Sequence, residues 1–151
     1  MLSRALLMLL LLTGPASAAD PAREVRALYE RFAAAQNAHD LDRVRPLLLD
    51  APQFLWVSDG QSFWGRDAVL ARMASFQRAE VWRVEPELDR AVAVPVNDAA
   101  AYLHLPLVLV IGAKDNPDRL PFLVSVLGVQ TRAGWRIAAL FTTTQKVIAR
   151  N

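Results

Sequence analysis

The chain has 151 residues, no cysteine, and seventeen Lys plus Arg against fifteen Asp plus Glu, for a formal net charge of +2. The missing cysteine excludes disulfides, thiolate metal sites and a cysteine nucleophile. The charge is small and no run of Lys or Arg forms a patch, so nucleic acid is not expected as a partner.

The first residues read as a secretory signal peptide. Met1 to Arg4 is a short basic start, Ala5 to Leu12 is an unbroken apolar run, and Thr13, Gly14 and Pro15 break it. Ala16-Ser17-Ala18 then gives the small-x-small cleavage pattern. A signal peptide is predicted over 1–18, cleaved after Ala18, with Ala19 the second choice. The run is too short for a bilayer, which needs ~20 helical residues. Leu103 to Ile111 is also too short and contains Pro106, so no membrane span is expected. The mature chain, 19–151, is predicted to be one periplasmic or secreted domain. Lacking disulfides, it must rely on a core, which about 133 residues can supply.

Asp20-Pro21 is a helix start: Asp caps free N–H groups and Pro fits the first helical position. Val25, Leu28, Tyr29, Phe32 and Ala35 or Gln36 follow at helical spacing, and the helix should end near Asn37 to His39. Asp40 can cap a second, short helix over Leu41 to Leu49, which Pro46 should kink or split. Phe54 to Val57 reads as a strand. Asp59-Gly60 is the turn of a hairpin, because a type I′ turn needs positive φ at both positions. Phe63 and Trp64 lie in its second strand. Gly65 breaks it, and Val69, Leu70, Met73 and Phe76 mark a third helix.

The remainder reads as β. Glu80 to Val84 and Glu87 to Val96 suggest one long strand interrupted at Pro86 and Pro95. Ala99 to Ile111 is a second, and Gly112 to Leu120 a polar loop. Pro121 to Thr131 and Trp135 to Lys146 complete the series. The pattern predicts an α+β fold in which a strongly curved antiparallel sheet of about six strands wraps helix 1.

NAHDLDRVRPLL after helix 1, the FLWVSDGQSFWGRDAVL hairpin and helix, and the closing GWRIAALFTTT together resemble the NTF2-like superfamily, and within it the SnoaL-like or DUF4440 group. The resemblance covers nearly all of the mature chain. It implies a cone: three N-terminal helices closing one side of the sheet around an apolar pocket, often in a homodimer. Members include isomerases, cyclases, dehydratases and hydrolases as well as proteins that only bind, so the fold alone does not fix the function. In the family's ketosteroid isomerases a carboxylate base works beside a Tyr and a protonated Asp that hold the oxyanion. The corresponding positions here are Trp56 for the base, Phe32 for the Tyr, and Val126 or Leu127 for the Asp. All are apolar, which argues against that mechanism.

The leading expectation is therefore binding of a small hydrophobic molecule, without a cofactor, in a pocket lined by Tyr29, Phe32, Trp56, Trp64, Tyr102, His104, Phe122 and Phe141. Ser125 and Gln130 are candidate polar groups of that pocket. No metal site is expected, since His39 and His104 lie far apart without a carboxylate motif. No hydrolase elbow surrounds any serine. The alternative is an enzyme with His104 as acid or base, assisted by Tyr29 or Tyr102. A third reading is a protein–protein module using the outer sheet face.

Overall fold

The computed structural model describes residues 20–146; the predicted signal peptide and its cleavage site lie outside the described residues. Asp20 accepts the Ala22 N–H at 3.1 Å, and Pro21 opens helix α1 (Pro21–Asn37). Its buried side carries Val25, Leu28, Tyr29, Phe32, Ala33, Ala35 and Gln36, the spacing of a helix with one face against a core. Asp40 accepts the Arg43 N–H at 3.0 Å and caps the short α2 (Leu41–Val44). Pro46 then falls in a 3-10 turn, Arg45–Leu47, because its ring cannot continue an α-helical ladder.

Strands β1 (Leu55–Ser58) and β2 (Gln61–Trp64) form a hairpin. Asp59 (φ 47°) and Gly60 (φ 77°) both take the positive values that a type I′ turn requires. Gly65, at φ 80°, turns the chain into α3 (Arg66–Phe76). The rest is β3 (Val81–Pro86), β4 (Val92–Asn97), β5 (Ala100–Gly112), β6 (Asp118–Thr131) and β7 (Gly134–Thr144).

These make one curved, unclosed sheet in the order β2-β1-β7-β6-β5-β3, with β4 also paired to β5. It has seven strands, one more than the sequence suggested, and it is mixed. The expected long strand divides after Pro86 at a 3-10 turn, Leu88–Arg90. Its halves then pair with different halves of β5: β3 with Leu107 to Gly112, and β4 with Ala100 to His104. The sheet is not wholly antiparallel because β1 runs parallel to β7. Most of the chain intervenes between those two strands, so the return is a crossover and not a hairpin.

Helix α1 lies across the inner face of the sheet. Gly128 lets it approach: a Cβ built there would stand 2.8 Å from Val25 Cγ2. The end of α1 also closes the free edge of β3. The Asn37 amide donates to Val84 O and accepts from Val84 N, both at 2.8 Å, in place of a neighbouring strand. His39 Nε2 donates to Trp82 O at 2.8 Å. Arg26 donates to the carbonyls of Leu88 and Ala91 at 2.7 and 2.9 Å, fixing the turn between β3 and β4.

Candidate functional site

A cavity of about 260 Å³ lies between the helices and the inner sheet face. Helix α1 contributes Tyr29, Phe32 and Gln36, which fall on one side of the helix at i, i+3 and i+7. Helix α3 contributes Arg72, Met73 and Phe76. Trp56 enters from β1, and Trp82 and Val84 enter from β3. Leu107, Leu109, Ile111, Phe122, Val124, Leu140 and Thr142 form the sheet side, while Leu120, Ser58 and Asp59 complete the lining.

The cavity is mostly apolar, with a few placed polar atoms. Trp56 Nε1 donates to Thr142 Oγ1 at 3.1 Å, and that hydroxyl lies 3.4 Å from Val57 O as a donor. Trp56 is thereby locked, with Phe63 and Phe76 against it at ring separations of 5.7 and 6.2 Å. Gln36 Nε2 points at Met73 Sδ, 3.9 Å away, a weak acceptor. The Tyr29 hydroxyl has no hydrogen-bond partner among the described residues. Burial pushes its pKa well above the ordinary tyrosine range, so it stays a neutral hydroxyl. Trp82 Nε1 is buried without a partner among the described residues. The Arg72 guanidinium lies over Phe76 at 4.4 Å and near Phe63 at 5.4 Å. Among the described residues the lining contains no histidine, and its carboxylate, Asp59, is exposed.

Tyr29, Phe32, Trp56 and Phe122 thus meet at the cavity. Trp64, Tyr102, His104 and Phe141 do not, and their placement in the pocket is corrected: all four lie on the opposite, outer face of the sheet. The register shows why. Trp64, Leu55, Ala139, Leu127, Tyr102 and Val94 are successive cross-strand partners in one row. Ser62, Val57, Phe141, Ser125, His104 and Val92 form the row beside it. His104 Nδ1 lies 2.9 Å from Ser125 Oγ, so both polar groups satisfy each other there and neither reaches the cavity. Gln130 is exposed and also absent from the lining. An outward His104 takes the acid/base group of the enzyme alternative away from the cavity, and Tyr102 goes with it.

Sequence reasoning missed Arg72, Gln36 and Trp82 as cavity residues. Arg72 had a signal: it stands at i+3 from Val69 and i−4 from Phe76, a charge inside an apolar helical stripe. Phe32 and Trp56 line the cavity, and no carboxylate enters it from β1.

A curved sheet wrapped on α1, with helices closing a cavity at one end, defines the NTF2-like, cystatin-like architecture. The SnoaL-like domain model matches residues 25–140, and the chain belongs to that family. Solved structures agree on the fold. An uncharacterized protein with a cystatin-like fold from Caulobacter vibrioides superposes with a TM-score of 0.72 at 18% identity, covering 83% of this chain and 90% of that one. A protein of the NTF2-like family from Streptomyces avermitilis, provisionally assigned as a dehydratase, gives 0.73 at 15% identity over 83% and 96%. An NTF2-like superfamily protein from Salmonella enterica gives 0.71 at 12% identity over 86% and 96%. No match is found among curated proteins. No helix among the described residues is long and apolar enough to cross a membrane.

Proposed function

We propose that this protein is exported and binds a small hydrophobic molecule in the cone cavity. The observation that carries this reading is the cavity of about 260 Å³, walled by Phe32, Trp56, Leu107, Phe122 and Leu140 with few polar atoms. Such a concave, largely apolar site with sparse polar groups is the usual form of a small-molecule pocket. Export rests on the leader pattern of residues 1–18. Native mass spectrometry of protein purified from the periplasm, followed by solvent extraction, tests the reading. An apolar compound at near one-to-one ratio is the expected result. An empty protein that also binds no apolar probe would refute it.

We further propose that the outer sheet face pairs two copies. Trp64, Val92, Tyr102 and Phe141 are 58%, 56%, 43% and 43% exposed, yet they lie in two contiguous rows that contain no Asp, Glu, Lys or Arg. Six strands at ~4.8 Å spacing and two rows ~7 Å apart give about 400 Å². That is about half of the roughly 800 Å² per partner of a standard interface, a core that flanking residues would have to extend. A neutral face suits a second copy of itself, since no like charges oppose. Analytical ultracentrifugation is expected to show a dimer; a monomer at high micromolar concentration would refute this.

A further inference from the structure

We infer that the occupant of the cavity is an anionic amphiphile, a small aliphatic or aromatic carboxylate whose head group is held by Arg72. The inference rests on the ligand-binding reading above and specifies its chemistry. Arg72 is a half-buried cation in the cavity wall. It forms no ion pair and no hydrogen bond as a donor from its side chain among the described residues, and its Nε is buried without an acceptor. Arg66 Nε is buried without an acceptor as well, but that guanidinium is paired with Asp50; Arg26 is held by two carbonyls and Arg136 by the Trp135 carbonyl.

The Arg72 guanidinium carbon lies over the rings of Phe63 and Phe76, at 5.4 and 4.4 Å from their centroids. Contact with apolar rings satisfies none of its N–H groups, which remain for an acceptor. A cation withdrawn from water and cushioned on apolar rings is incompletely compensated, so an anion delivered there is favoured. The guanidinium fork fits a planar carboxylate in two parallel hydrogen bonds. The remaining lining, Phe32, Trp56, Leu107 and Phe122, receives the apolar body. Tyr29 adds a neutral hydroxyl, which donates without repelling an anion. Asp59 is the opposing charge in the same lining. It stands beyond ion-pair distance of Arg72, in the positive-φ turn, with Thr144 Oγ1 at 3.5 Å from its Oδ1.

The test uses the full mature protein, stripped of any co-purified ligand and titrated with octanoate and naphthoate and with their methyl esters. Calorimetry gives the affinities, and the fluorescence of Trp56 and Trp82 reports cavity occupancy. The acids are expected to bind about tenfold or more tighter than the esters, the scale of a charged hydrogen-bonded pair. Arg72→Met, which keeps the contact with the rings, should bring each acid down to its ester, and Arg72→Lys should keep part of the preference. Asp59→Asn, tolerated at positive φ, should tighten acid binding severalfold and stands as the independent variant should Arg72→Met not fold. Equal affinity for acid and ester in the wild-type protein, or an acid preference that survives Arg72→Met, would overturn the head-group assignment and leave the apolar-ligand reading standing. Binding of neither class would overturn both.

Discussion

Replacing Gly128 by Ala tests how closely α1 must approach the sheet. The added Cβ meets Val25 Cγ2 at 2.8 Å and Val25 Cβ at 3.3 Å, well inside ordinary contact. Val25 is fully buried and cannot swing away, because its Cβ branch restricts χ1 in a helix. Either α1 lifts from the sheet or the β6–β7 bulge deforms. Overpacking of this kind costs about 1–3 kcal/mol. Val25→Ala alone removes two buried methyl carbons and leaves a void, at a cost of about 2–3 kcal/mol. In the double variant the new methyl occupies the space that Val25 vacates. The two changes should therefore couple favourably by about 1–2 kcal/mol, as contacting residues do. Urea unfolding followed by circular dichroism, with an unchanged m-value, measures all four corners of the cycle. Strict additivity, or a neutral Gly128→Ala, would show that this contact does not set the helix position. Because α1 also carries Tyr29, Phe32 and Gln36, a lifted helix should alter cavity binding in the single variant and recover it in the double.

Asn37→Ala removes both hydrogen bonds that close the β3 edge at Val84. About 2–3 kcal/mol of stability should be lost in the same unfolding assay, because two partly buried backbone groups lose their partners. Tyr102→Glu or Phe141→Glu places like charges in the outer apolar rows and should shift sedimentation from dimer to monomer while leaving cavity occupancy unchanged. The Glu85 carboxyl is held below the ordinary carboxylate range by hydrogen bonds from Arg119 and then Arg83. Its stabilising contribution is therefore present above the unfolded pKa and is lost as pH falls through the depressed folded value. Glu85→Gln should remove that part of the acid slope of stability. The effect will be small, since the pair is solvent-exposed.

Local chemistry made the helices and turns legible. Asp20-Pro21, Asp40, Asp59-Gly60 and Gly65 each supply a backbone requirement that few other residues meet, and each stands at an element boundary. The α1 stripe showed which helical face is buried, and Tyr29 and Phe32 lie on that face. Strand partners were less visible. The division of β3 from β4 depends on β5 being long enough to pair with both, and the parallel return of β1 to β7 depends on contacts more than eighty residues apart in sequence. Asn37 and His39 were recognised within a motif, but their task at the β3 edge exists only once that edge has been placed.

The inward face was the hardest feature to read, for two different physical reasons. In β5 the segment Ala101 to Leu105 does alternate, with Ala101, Leu103 and Leu105 fully buried and Tyr102 exposed. Reading Tyr102 and His104 as cavity groups gave their polar atoms a functional meaning, where the alternation alone assigns them to the other side. In β7 the alternation itself misleads. Trp135 and Ile137 face the core, so a regular strand would carry Phe141 inward as well. Gly128 pairs with Ile137 while Leu127 pairs with Ala139, which leaves Ala138 as an extra residue. That bulge reverses the parity: Leu140 and Thr142 turn to the cavity and Phe141 turns outward. The same bulge adjoins Gly128, where α1 comes nearest the sheet. One irregularity therefore seats the helix and puts Thr142 in reach of Trp56. It also completes the outer apolar row with Phe141. Deleting Ala138, the extra residue itself, should return β7 to regular alternation with Ile137, Leu140 and Thr142 inward and Phe141 outward. The Trp56–Thr142 hydrogen bond should therefore survive, read as unshifted tryptophan emission; a shifted spectrum in a folded deletion variant would show that Ala138 is not the residue that sets the parity.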